Sequence, residues 1–132
     1  MLHHLSFGVS DIERATAFYD AVLAPLGYAR VWSDLRPGEA GQAVGYGVPG
    51  GGDRLALKLR PDGQRPPGPG FHLAFAAPDR AAVVRFHEVA LRHGGRDNGA
   101  PGLRPHYGPH YYAAFVVDPD GYAIEAVFNA PA

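Results

Sequence analysis

The 132-residue chain is long enough for one compact domain with a substantial core. Its formal charge of −1, with no Lys/Arg cluster, argues against a nucleic-acid surface. With 0 Cys there are no disulfides, thiolate-zinc sites or cysteine nucleophiles. The start MLHHLSFGV lacks the basic and apolar regions of a signal peptide. No apolar run approaches the roughly 18 residues that a membrane span needs. These features lead to the expectation of a soluble cytoplasmic protein.

In chain order, residues 2–9 alternate as a strand. His4, Ser6 and Gly8 share one face; Leu5, Phe7 and Val9 share the other. Ser10 or Asp11 can cap a helix running to about residue 26, with Ile12, Ala15, Phe18, Tyr19, Val22 and Leu23 at helical spacing. Gly27 is its expected C-terminal cap. Strands are expected at 28–32, 43–48 and 55–60, with a loop at 33–41 and a turn at 49–53. Residues 61–70, PDGQRPPGPG, suit neither helix nor interior strand and read as a connector. A strand at 71–77 follows, then a helix opened by Pro78-Asp79 and closed by Gly94-Gly95. Residues 96–102 lead into a short strand or none, and 105–110 form a loop. A strand at 111–117, a tight turn Asp118-Pro119-Asp120-Gly121 and a strand at 122–128 complete the chain.

The two halves echo each other at an offset of 68 residues. His72 falls on His4, Phe75 on Phe7, Asp79 on Asp11, Phe86 on Phe18 and Gly95 on Gly27. Leu103-Arg104-Pro105 likewise falls on Leu35-Arg36-Pro37. A long-period echo marks a duplicated unit. The expected fold is α+β: two tandem βαβββ modules, 1–60 and 71–132, joined by 61–70 within a single domain. Together they form a curved, cup-like mixed sheet with helices on its outer face.

The duplication places His4 and His72 at matched sites on the faces that carry small residues, Ser6 and Gly8 in one copy and Ala74 and Ala76 in the other. On the last strand Glu125 stands beside small Ala123, which suits a cup wall better than a core. Two imidazoles and a carboxylate can hold one divalent ion (Fe, Mn, Ni or Zn) and leave positions open for substrate. The alternative is that each histidine is an ordinary surface or core residue. His3 is one residue out of phase and faces helix or solvent. Lys58 falls, within one residue, opposite Glu125 when the final strands are aligned on their turns. It is a candidate to bind a carboxylate or an anion, or else a solvated edge lysine. His106, Tyr107, His110, Tyr111 and Tyr112 cluster between Pro and Gly. They read either as a substrate-gripping loop with a proton-transferring residue or as a rigid aromatic cover.

These pieces resemble the vicinal oxygen chelate superfamily, which includes glyoxalase I, bleomycin-resistance proteins, fosfomycin-modifying enzymes and extradiol dioxygenases. The resemblance rests on His4 with Asp11, Phe18-Tyr19 and Leu26-Gly27, on His72 with its helix, and on the ending from Phe115 through Asp118-Pro119-Asp120-Gly121 to Ile124-Glu125. It implies a metal held by His4, His72 and Glu125 that chelates two neighbouring substrate oxygens. Glyoxalase I adds an acid on the last strand of its first module, where this chain reads Leu55-Ala56-Leu57-Lys58-Leu59. Extradiol dioxygenases carry a Tyr where Phe115 stands, with a His at about the distance of His106. Both departures disfavour those two activities.

The expectation is therefore a metal-dependent enzyme, of lyase, isomerase, dioxygenase or transferase type, acting on a small oxygenated substrate. Catalytic candidates are His106, His110 and Tyr112; substrate-binding candidates are Tyr107, Tyr111, Phe115 and Lys58. A homodimer is expected, with no nucleic-acid or membrane partner. The competing readings are a metal-free protein that binds a hydrophobic or aromatic small molecule in the same cup, and a dimerising domain without a ligand.

Overall fold

Two aspartates set the architecture, because each caps the helix that covers its sheet. In the computed structural model, which describes residues 1–63 and 68–132, β1 (Leu5–Val9) leads into α1 (Ile12–Leu23). Asp11 accepts a hydrogen bond from the Arg14 backbone N–H at 3.0 Å. Asp79 repeats the device for α2 (Arg80–Arg92), accepting from the Ala82 N–H at 2.8 Å. Pro25 halts α1, because it has no N–H to continue the ladder. The chain tightens into a 3-10 turn at Ala24–Leu26 and leaves through Gly27 at φ 91°.

The first module adds β2 (Ala29–Asp34), β3 (Ala43–Gly47) and β4 (Leu55–Leu59), in the sheet order β1-β4-β3-β2. The second adds β5 (Leu73–Ala76), β6 (Arg96–Leu103), β7 (Tyr111–Val117) and β8 (Ala123–Asn129), in the order β5-β8-β7-β6. In each sheet the first strand runs parallel to the last, and the remaining pairs are antiparallel. The βαβββ duplication and the α+β class stand as expected. Of the expected connector, 64–67 lie outside the described residues. No helix among the described residues is long and apolar enough to cross a membrane.

One element differs from expectation. Residues 96–103 form an eight-residue strand, β6, where a short strand or none was expected. Gly99, Pro101 and Gly102 hide it in the sequence. They are tolerated because β6 is an edge strand whose pairing with β7 shifts register twice, between Asp97 and Gly99 and between Gly99 and Gly102.

The apolar core runs through both modules, with Phe18, Tyr19 and Leu57 from one and Phe86, Val116 and Ile124 from the other buried together. The turn Asp118-Pro119-Asp120-Gly121 fastens the modules. The Tyr19 hydroxyl donates to Asp118 Oδ2 at 2.5 Å, while Asp118 Oδ1 accepts the N–H groups of Asp120 and Tyr122, both at 2.9 Å. Ser10 donates its N–H and hydroxyl to Asp120 Oδ1 at 2.9 and 2.7 Å, and the Tyr122 hydroxyl donates to Gly8 O at 2.7 Å. Burial pushes the Asp118 carboxyl above the usual carboxylate range. Burial and the adjacent carboxylate hold the Tyr19 phenol well above its ordinary value. The motif that reads as a tight turn is thus also the clasp between the two copies.

Candidate functional site

Strand register decides which side chains share the open face of the second sheet. Ala74 pairs with Glu125, Glu125 with Phe115, and Phe115 with Gly99, so these four form one row across β5, β8, β7 and β6. Leu73, Phe75, Ile124, Ala126 and Val116 occupy the other face and join the core under α2. The expected split, with small residues toward the cup and large ones toward the helix, holds for β5, and on β8 Glu125 and Ile124 fall on opposite faces as expected.

Glu125 is the unusual member of the row. Its side chain is 1% exposed, and an ionised carboxylate that deep needs partners. It has two. His72 Nε2 lies 2.8 Å from Oε1, and the Tyr111 hydroxyl donates to Oε2 at 2.9 Å. The His72 ring is half exposed and stands at the mouth of a cleft of about 400 Å³, whose walls include Phe71, Asn98, Tyr107 and Phe115. Burial and the Glu125 carboxylate push the Tyr111 phenol up to about 12. Near neutral pH Tyr111 therefore keeps its proton and serves as a donor to Glu125 rather than as a base.

The 105–110 hairpin extends the cluster outward. The His106 and Tyr107 ring centroids are 4.1 Å apart, and those of Tyr107 and Tyr111 are 5.1 Å apart. His106, Tyr107 and His110 are exposed at the rim. Tyr112 stands on the opposite face of β7, paired with Phe128 and packed on the core, with the Arg80 guanidinium 5.0 Å from its ring centre. Alternation along β7 takes it away from Glu125 although its neighbour Tyr111 reaches that carboxylate.

His4 is not brought to the pair. It lies exposed just before β1, its Nδ1 at 2.9 Å from that of His3, and it borders a separate groove with Leu2, Val48, Leu73 and Phe75. Among the described residues no three His, Asp or Glu side chains stand together as a metal-holding group within this one chain.

Lys58 requires a correction. Ser6 pairs with Ala56 as Ala74 pairs with Glu125, so the first-module counterpart of Glu125 is Ala56. Lys58 pairs with Gly8 and lies two residues further on, exposed. Aligning the strands on their turns misplaced it because the turns before β4 and before β8 differ in length.

Two residues that sequence reasoning passed over also face the cup. Trp32 lies across Gly45, where even a Cβ would collide with its indole ring. The Arg104 guanidinium lies over the Phe115 ring, 5.3 Å from its centre. A sequence signal for Arg104 existed, in its echo of Arg36.

Two βαβββ modules, each with a helix on one face of its sheet and the other face open, define a paired-module α+β class. The model of the Glyoxalase/Bleomycin resistance protein/Dioxygenase superfamily matches residues 1–126, and the chain belongs to that superfamily. A glyoxalase/bleomycin resistance protein from Albidiferax ferrireducens T118 is similar at 30% identity, with 94% of each chain covered and a TM-score of 0.71. A glyoxalase-related enzyme from Fulvimarina pelagi is similar at 25% identity over 98% of this chain and 88% of that one, with a TM-score of 0.70. A glyoxalase I mutant from Zea mays shares the fold at 23% identity and a TM-score of 0.72; the match covers 96% of this chain and 45% of that one. No curated protein matches the chain.

Proposed function

We propose that this protein is a divalent-metal-dependent enzyme acting on a small oxygenated substrate, built as a homodimer. Members of the superfamily bind small molecules, often hold a divalent metal and often form dimers. The observation that carries the reading is the couple at the cup floor: a Glu125 carboxylate buried at 1% exposure, 2.8 Å from His72 Nε2. An imidazole on the wall of an open cleft, with a buried carboxylate directly behind it, fits a borderline divalent cation. Fe, Mn, Ni and Zn all suit the donor set.

The third donor in this proposal is His4 from a second copy. Within one chain it borders a different groove from His72. β1 and β5 are both edge strands, and Leu2 and Val48 beside His4 are 71% and 58% exposed. Open edges and exposed apolar side chains are what a second copy would cover. A bound ion would polarise the substrate oxygens and stabilise negative charge that develops on them. The protein groups divide the remaining work. Tyr111 fixes the Glu125 carboxylate, Phe71 and Phe115 wall the cleft, and His106 or His110 at the rim moves a proton. The couple leaves no acid at Ala56, so the site differs from a glyoxalase I donor set.

The test is metal content after purification without a His-tag. Wild type should retain or take up a stoichiometric divalent ion, and His4→Ala or Glu125→Ala should lose it. If wild type takes up none from Fe, Mn, Ni or Zn solutions, the reading fails. The aromatic walls of the cleft favour the second reading in that event, a metal-free binding protein whose ligand affinity survives both substitutions and EDTA.

A further inference from the structure

The duplicated chain carries the same arginine twice, and the two copies are treated differently. In the first module Arg36 is neutralised: its Nε donates to Asp34 at 2.9 Å, and its guanidinium lies 3.7 Å from Glu39. Its counterpart Arg104 has no carboxylate within ion-pair distance among the described residues. It is nevertheless held firmly. Its backbone N–H donates to Tyr111 O at 2.8 Å, and its side chain donates to Gly102 O at 2.9 Å and to Ala100 O at 2.7 Å. The guanidinium rests on a glycine shelf. A Cβ on Gly99 would come within 3.2 Å of Nη2, and one on Gly102 within 3.3 Å of Nη1. Gly99 and Gly102 pair with Phe115 and Ala113, so this shelf lies on the open face that carries Glu125.

A guanidinium has more N–H donors than the two carbonyls use, and the planar fork suits an oxyanion. Fixing it in advance removes most of the ordering cost of binding. Stacked on Phe115 in a half-buried position, it is less hydrated than a free surface arginine. Its position relative to the Glu125–His72 couple is also defined. The Phe115 ring centre is 5.3 Å from the Arg104 guanidinium carbon and 6.5 Å from the His72 ring centre. Phe115 is thus the neighbour that the two groups share.

We propose that Arg104, beside the cleft that His72 and Phe115 line, is its anion-binding arm, taking a carboxylate, phosphonate or phosphate group of a small organic ligand whose next atoms run past Phe115 toward His72. That the ligand is the substrate rests on the function proposed above; that the oxyanion binds at Arg104 does not. The guanidinium has no carboxylate partner among the described residues, so an oxyanion suits it better than a neutral hydrophobic ligand, which would leave its spare N–H donors unused.

The test uses EDTA-treated full-length protein, so that metal binding plays no part. Phenylphosphonate and benzoate are titrated calorimetrically against benzyl alcohol, a neutral probe of similar shape. Wild type should bind at least one of the two anions more tightly than the alcohol. Arg104→Gln should weaken the anion by about ten- to a hundredfold and leave the alcohol unchanged. Arg104→Lys, which keeps the charge but loses the fork, should fall between. Arg36→Gln should bind as wild type. The preference of benzoate over phenylphosphonate, or the reverse, identifies the kind of oxyanion. The proposal is overturned if the anions bind no better than the alcohol, or if Arg104→Gln changes nothing more than Arg36→Gln does. Should Arg104→Gln not fold, the arginine Nε–H resonances of wild type decide. Those of Arg104 must shift on titration while those of Arg36 stay. Anion binding without any metal uptake would retain this assignment and remove the metal-dependent one.

Discussion

Subunit mixing tests the shared site most directly. A protein with His4→Ala and a protein with Glu125→Ala each lack one donor at every site, so neither alone should hold the ion. In a dimer made of one of each, one site combines the intact His4 of the second with the intact His72 and Glu125 of the first. Random reassortment gives mixed dimers about half the time, each with one whole site of two, so the mixture should recover about a quarter of wild-type metal. The structure supplies the control. His72 Nε2 and Glu125 Oε1 are 2.8 Å apart within one chain, so a mixture of His72→Ala with Glu125→Ala should recover nothing. The assay is co-refolding or co-expression followed by equilibrium dialysis and elemental analysis, with dimer content checked by light scattering. If the His4 and Glu125 mixture binds no more than its two parents while wild type binds fully, the ion is not shared between copies through His4.

Tyr111→Phe removes the only hydroxyl donor to Glu125 Oε2 among the described hydrogen bonds. It should cost about 1–3 kcal/mol of stability in denaturant titration and lower metal affinity about tenfold or more, by freeing a carboxylate that Tyr111 holds in place. Unchanged affinity in a folded variant would show that Tyr111 does not orient the acid. Asp118→Asn tests the clasp by its pH dependence. Folded Asp118 holds its proton more tightly than the ordinary value of 3.8, so the native state binds more protons than the unfolded state just above that pH. Its contribution to stability is therefore greatest in acid and declines as pH rises through the raised value. Asparagine can accept the two backbone N–H groups and donate to Tyr19, and it does not titrate in this range. The stability of wild type relative to Asp118→Asn should accordingly fall as pH rises above about 4; a pH-independent difference would contradict the raised carboxyl.

Much of the fold was legible because local chemistry determines it. Asp11 and Asp79 cap helices, Gly27 ends a turn, and alternation along β5 and β8 assigns Glu125 to the open face. Those signals need only neighbours in sequence. β6 was hidden because an edge strand with two register shifts needs no apolar alternation. Tyr112 is grouped with Tyr111 by its nearness in sequence to the 105–110 loop, but alternation along the expected 111–117 strand already sends the two to opposite faces, as β7 shows. The relation of His4 to Glu125 lay beyond reach for a different reason. It depends on how two sheets are placed, within one chain or between two, and no periodicity encodes that.

The same duplication explains why the proposed site draws most of its groups from one module. Register gives each copy one position for a floor acid, and the two copies spend it differently: Ala56 in the first, Glu125 in the second. The matched arginines diverge in the same sense, with Arg36 tied up by Asp34 and Glu39 and Arg104 left without an acid over Phe115. The first module lends α1 and Tyr19 to the clasp that holds Asp118, and its open face ends in small residues and Trp32. A chain whose donors are concentrated in one module has a single complete half-site. In the proposed site His4 adds its donor where the first module of another copy meets that half-site, which is why the proposal draws the third ligand from a second copy rather than from within the chain.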